Sequence, residues 1–184
     1  MENGASFKAL LLGTTLAVTG MTSANAAQDL FLVFPGISGG SVIKGHQGQI
    51  DLTGFSMNAS SSQNFVGSGG GAGKLTCGAV TLTKSVDIAS PKFFQAVVTG
   101  RVTAGPVTVM FDNTANNRGG ALVENYQVDL KQVVVTGVSH SDLKQDVTVT
   151  ETINLLAGSF TVTYNPGRPN AASFSFDCRA DVAL

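Results

Sequence analysis

The chain has 184 residues, with 11 Lys or Arg against 12 Asp or Glu and a formal net charge of −1 at pH 7. Only 12% of its residues are charged and no Lys/Arg cluster makes a basic face, which excludes nucleic acid as a partner. Low charge with 22 glycines and abundant Ser, Thr and Asn instead suits either a protein whose outer faces are covered by copies of itself or a secreted β protein standing alone.

Residues 1–26 read as a secretory signal peptide. Lys8 makes a weakly basic start, Ala9 to Val18 is apolar, and Ala24-Asn25-Ala26 supplies small residues at the cut. The apolar run is shorter than the roughly 20 residues a spanning helix needs, and no other stretch qualifies. The expectation is one exported domain, residues 27–184, secreted or periplasmic, with no membrane span after cleavage.

Leu30 to Phe34 (LFLVF), stopped by Pro35-Gly36, predicts a buried strand. Gly36 to Gly40 (GISGG) matches G-x-S-x-G, and Asp51 and His140 follow Ser38 in the order of a hydrolase triad. A nucleophile elbow needs a helix after the serine, however, and Ser41 to Gly48 carries none, while His140 sits in a polar stretch that reads as solvated surface. An esterase is therefore a remote reading, and no catalytic residue is expected. Gln49 to Met57 alternates, with Ile50 and Leu52 on one face and a parity change near Gly54. Met57 to Gly73 reads as a long loop whose glycines at 67, 69, 70, 71 and 73 cost much entropy unless a partner holds them. GGGAGK is only loosely a phosphate loop, because Ser68 and Leu75 stand where glycine and a hydroxyl residue are required and a strand follows.

Leu75 to Leu82 predicts a strand with a parity switch at Gly78. Ser90 as N-cap, Pro91 in the first turn and Gly100 after the last define a helix about 14 Å long. Its Phe93/Val97 and Phe94/Val98 pairs make one side apolar, so it packs on a sheet, either as a plug at a barrel end or as a ligand helix. Further strand signals are Pro106 to Phe111, Ala121 to Val138, Val147 to Leu155, Phe160 to Tyr164 and Ser173 to Cys178. In the second, Leu122, Tyr126, Val128, Leu130 and Val134 share a face and the length implies a bend or bulge. Lys84 and Glu151, inside strand patterns, are either edge charges or a buried or inter-subunit ion pair. His46 and His140 are isolated and the cysteines far apart, so no metal or other cofactor is expected. Cys178 continues the Phe174, Phe176 face inward, and a Cys77–Cys178 disulfide is expected in an oxidising compartment. The pattern is mainly β, a barrel or sandwich with one short helix.

Taken together, Phe31-Leu32 with Gly36-Ile37-Ser38-Gly39, Ile50-Asp51-Leu52, Phe55-Ser56, Gly70-Gly71-Ala72-Gly73-Lys74, Thr83-Lys84, and Ser90-Pro91 with Phe94 and Gly100 closely resemble the Hcp tube proteins of type VI secretion. The most specific part is GGGAGK followed by TK and then SP, in that order. The resemblance implies a small closed β-barrel of two packed antiparallel sheets with one side helix. It also implies a non-enzymatic subunit that forms homohexameric rings, stacks into tubes and carries effector proteins in the lumen. By the same resemblance Met57, Asn58, Phe65, Gly70, Gly71, Gly73 and Lys74 belong to a loop that reaches the next ring. The family's tube proteins carry no cleavable leader. The leader here opens a second reading, an exported structural or adhesion assembly that keeps the fold without the injection role.

Overall fold

Alternation of apolar and polar side chains turns most of the chain into strands. The computed structural model describes residues 28–61, 75–113, 123–142, 148–180 and 182–183. In order these form β1 (Gln28–Val33), β2 (Ile50–Leu52), β3 (Gly54–Ser56), β4 (Ala59–Ser61), β5 (Leu75–Cys77), β6 (Val80–Ser85), α1 (Ser90–Thr99) and β7 (Val107–Asn113). They continue with β8 (Val123–Lys131), β9 (Val134–Ser141), β10 (Thr150–Leu156), β11 (Ser159–Tyr164), β12 (Ala172–Asp177) and β13 (Val182–Ala183). A seven-stranded antiparallel sheet runs β13-β12-β11-β8-β7-β1-β2, a four-stranded one β3-β6-β10-β9, and β4 pairs only with β5.

The inner faces of the two large sheets enclose one core. Leu32, Val107, Val109, Val128 and Leu130 come from the first sheet and Leu82, Ile153 and Leu155 from the second, all fully buried. The expected closed barrel is not what forms, because neither sheet pairs back on itself among the described residues. The reason lies in how the chain changes sheets. At Thr53, between β2 and β3, the N–H turns away and donates to Thr83 O of β6 (2.8 Å), so the predicted parity change near Gly54 is a corner joining the sheets. At the other crossing Gln132 takes φ 52°, an uncommon value for a residue with a side chain. Val133 then closes on Thr103 through Thr103 N–H to Val133 O (2.9 Å) and Val133 N–H to Thr103 Oγ1 (3.2 Å). The long signal from Ala121 to Val138 is therefore two strands in two sheets. Val133 and Val135 face inward and Val134 does not, which breaks the single face expected to run through Val134.

The helix forms where its signals place it, but its cap differs. Gly100 adopts the left-handed conformation (φ 58°) and its N–H reaches Ala96 O. Ser90 does not cap; the position before the helix is Ala89, and Asp87 Oδ1 instead accepts the Ala89 N–H (2.9 Å). Phe93 is fully buried with its ring edge-on to Phe34 (5.3 Å), and Ala96 and half-buried Val97 pack beside it, while Phe94 and Val98 are exposed. One of the two expected apolar pairs is thus the packed face. Similarly, Phe176 is buried but Phe174, two residues before it, is half exposed.

Cys77 and Cys178 are bridged across a sequence separation of 101. The bond ties the β4–β5 hairpin, four of whose six residues are exposed, to the end of β12. Met57, Leu75 and both cysteines complete the attachment by packing against the core. Replacing both cysteines with alanine should lower unfolding stability by about 2 to 4 kcal/mol, because the denatured chain regains the freedom of a long loop. A drop in the urea midpoint measures it, and an unchanged midpoint would contradict it.

Candidate functional site

Lys84 and Glu151 stand opposite each other on β6 and β10, in register, and both side chains are fully buried. The Lys84 ammonium has three donors. They go to Ser85 O (2.9 Å), Ser90 Oγ (3.0 Å) and Asp87 Oδ1, two of them in the segment that opens α1. Ser90 Oγ also accepts the Asp87 N–H (3.1 Å), which is why the serine is not free to cap the helix. Glu151 Oε1 lies 3.7 Å from Lys84 Nζ, an ion pair without a hydrogen bond, and has no donor of its own. Glu151 Oε2 meets His140 Nε2 on β9 at 3.0 Å, and Phe94 of α1 stands edge-on to the imidazole at 5.0 Å. His140 is therefore on a strand and not in a turn, and it remains exposed at the surface while it pairs with a buried carboxylate. The open alternatives for Lys84 and Glu151 resolve into a buried ion pair within the chain.

This cluster is suited to holding the helix on the smaller sheet. Its Nζ is fully buried and has three hydrogen-bond acceptors around it. The triad suggested by Ser38, Asp51 and His140 does not assemble. Ser38 is exposed and followed by turns, and Asp51 lines a cavity of about 270 Å³ with Gly40, Thr53, Ser85 and Asp87. His140 has Glu151 as its carboxylate partner. Among the described residues no group of three or more His, Cys, Asp or Glu is placed to hold a metal ion. No helix among them is long and apolar enough to cross a membrane. Of the loop predicted to reach another ring, Met57 packs on the core and Asn58 O accepts the Gly78 N–H (2.9 Å). Phe65, Gly70, Gly71, Gly73 and Lys74 lie outside the described residues.

A second cluster escaped the sequence reading. His46 stacks on Phe31 (3.8 Å between ring centroids, 9° between planes) and meets Asp112 Oδ2 at 2.8 Å. Burial raises the Asp112 carboxyl above its ordinary value, with His46 pulling it back and Asp29 adding to the rise. Glu124 is also raised, first by burial and then by Asp112 and Asp129. The sequence signal available was the lone His46 in a glycine-punctuated segment, which by itself names no partner.

With two antiparallel sheets, one side helix and a buried Lys–Glu pair in place, the comparisons become decisive. The family profile described as "Type VI secretion system effector, Hcp" matches residues 31–164, from β1 to the end of β11. The chain belongs to the Hcp family. Its fold is similar to that of Hcp1 from Salmonella typhimurium (TM-score 0.69, 19% identity, 86% of this chain and 99% of that one). It is also similar to a structure described as a type six secretion system protein (TM-score 0.76, 20% identity, 86% and 100%). A type VI secretion system effector from Yersinia pestis aligns as well (TM-score 0.64, 18% identity, 81% and 99%). No curated protein matches the chain. At these identities the likeness to solved structures speaks for the fold, and family membership rests on the profile match.

Removing the ammonium tests the cluster in this Hcp chain. Lys84→Met leaves Glu151 and Asp87 without their cation and should cost about 3 to 5 kcal/mol of stability, whereas Lys84→Met with Glu151→Leu should recover part of that loss. Urea unfolding of these two variants and of Glu151→Leu alone completes the cycle; a double-variant loss equal to the sum of the two single losses would show that the pair is not coupled.

Proposed function

We propose that this chain is a non-enzymatic tube subunit that closes into homohexameric rings, stacks them and carries effector proteins in the lumen. The observation that carries the reading is the family match over residues 31–164. Two features of the chain support it. Charge is sparse, at 12% of residues, and α1 with the turn leading into it leaves Ile88 (69%), Phe94 (42%) and Val98 (86%) exposed, apolar surface that self-association would remove from water. The segment from Met57 to Lys74, by resemblance, is the ring-stacking element, with Asn58, Phe65, Gly70, Gly71 and Gly73 in it. Heterologous contacts close into a ring only if the rotation per copy divides the circle; otherwise a helix grows.

The proposal includes export. Residues 1–26 act as a cleaved leader, and the disulfide suits an oxidising compartment. The family match supports the tube subunit over an adhesive assembly.

Native mass spectrometry of the purified mature protein should give six subunits per ring, with electron microscopy showing stacked rings at high concentration. Gly71→Pro should leave the hexamer intact and abolish stacking. A protein that remains monomeric at high concentration would overturn the assembly reading, and a mature N-terminus at Met1 instead of Ala27 would overturn the export reading.

A further inference from the structure

The face of the large sheet turned away from the core carries a row of acids. In register, Asp29 of β1 opposes Asp112 of β7, and Asp112 opposes Glu124 of β8. Opposed residues on antiparallel neighbours share a face, and like charges placed so repel. Glu124 enters the row because the register shifts at Phe111/Asp112, leaving Asn125 unpaired between Glu124 and Tyr126. Phe31, on the same face of β1, is 1% exposed although it lies outside the main core cluster. What covers it is the imidazole of His46. The segment from Ile37 to Gln49 thus folds over the outer face of the sheet. It is held together by Gly39 N–H to Gly48 O (2.9 Å), Ser41 N–H to Gln49 O (3.0 Å) and Gly48 N–H to Ser41 O (2.9 Å). Gly39 is required there because a Cβ would collide with the backbone of Gln49.

The buried acids of this layer call for a proton. His46 Nδ1 faces Gln49 Oε1 (2.9 Å), and Nε2 faces Asp112 Oδ2 (2.8 Å). With the amide oxygen turned to the ring, Nδ1 carries the hydrogen and the Nε2–Oδ2 contact needs a second one, on the ring or on the carboxyl, whereas with the amide turned over its NH2 donates to Nδ1 and one hydrogen serves both contacts. Asp112 Oδ1 and Glu124 Oε1 are buried and, among the described residues, have no donor. Asp129, on the same strand as Glu124, is by contrast satisfied by Thr108 Oγ1 and Gln127 Nε2, both at 2.6 Å. Among the described residues the charged or titratable groups acting on Asp112 and Glu124 are Asp29 from β1, Asp129 from β8 and His46 from the overlying segment.

We propose that a proton shared among His46, Asp112 and Glu124 latches the Ile37–Gln49 segment onto the outer face of the large sheet, closed in mild acid and released as the pH rises. The raised carboxyls agree in sign. A carboxyl whose folded pKa lies above its unfolded value favours folding while protonated, and that advantage is lost as pH climbs from the ordinary carboxylate range through the folded pKa.

The test uses the full mature chain from the ordinary carboxylate range, about pH 4, up to about pH 8. The thermal midpoint should fall as pH rises, and exchange of the Gly39, Ser41 and Gly48 amides, corrected for its intrinsic pH dependence, should accelerate by about tenfold or more. Asp112→Asn and Glu124→Gln should each flatten both profiles; the two are read separately, so that one failing to fold leaves the other to decide. Side-chain NMR should show a proton on the His46–Asp112 pair beyond that of a neutral ring. Unchanged profiles in the folded variants would overturn the latch. So would a neutral imidazole with both carboxyls ionised throughout the range.

Discussion

A buried ammonium organises the contact between helix and sheet. Lys84 is fully buried on β6, and two of its three donors go to residues that begin the helix while its charge faces Glu151 across the strand pair. Moving an amine and a carboxylate out of water is expensive, and their attraction repays this only when the remaining hydrogen bonds are made. Asp87 and Ser90 make them for the amine, and His140 makes one for the acid. Hydrophobic side chains could hold a helix at this place as firmly. The ammonium accepts one position of the helix start, and Phe93 beneath Phe34 secures the same helix toward the large sheet.

The two-sheet architecture follows from the corners at Thr53 and Gln132, where the chain leaves one sheet for the other. Among the described residues each sheet stays open, so the enclosed core is the interior of a sandwich joined at those two corners. The family match ends at residue 164, so β12, β13 and Cys178 lie beyond it. The disulfide therefore fastens the matched region, through Cys77, to a C-terminal hairpin outside that match. It secures the hairpin that flanks the glycine-rich segment, four of whose six strand residues are exposed.

The outer layer over Phe31 uses a different balance. Its acids sit in register because strand pairing puts them there, and the one imidazole above them cannot neutralise all three. On the inner face the same strands present Leu30, Leu32, Val109 and Phe111 to the core. This explains why β1 reads as a continuous apolar run: its alternate residues enter the main core on one side and a small secondary cluster on the other.

Sequence by itself determined the elements and much of the burial. The alternation of Val80 and Leu82, or of Glu151, Ile153 and Leu155, assigns faces because successive strand side chains point opposite ways. Pro91 and Gly100 bracket the helix because their backbone preferences are local. Tertiary structure decided which partner each polar group found. Ser90 lost its capping role to Lys84, His140 met Glu151 across a strand pair, His46 found Asp112, and the expected barrel stayed open. Those outcomes depend on distances between residues far apart in the chain. A local pattern records which face a side chain takes, but not what waits opposite it.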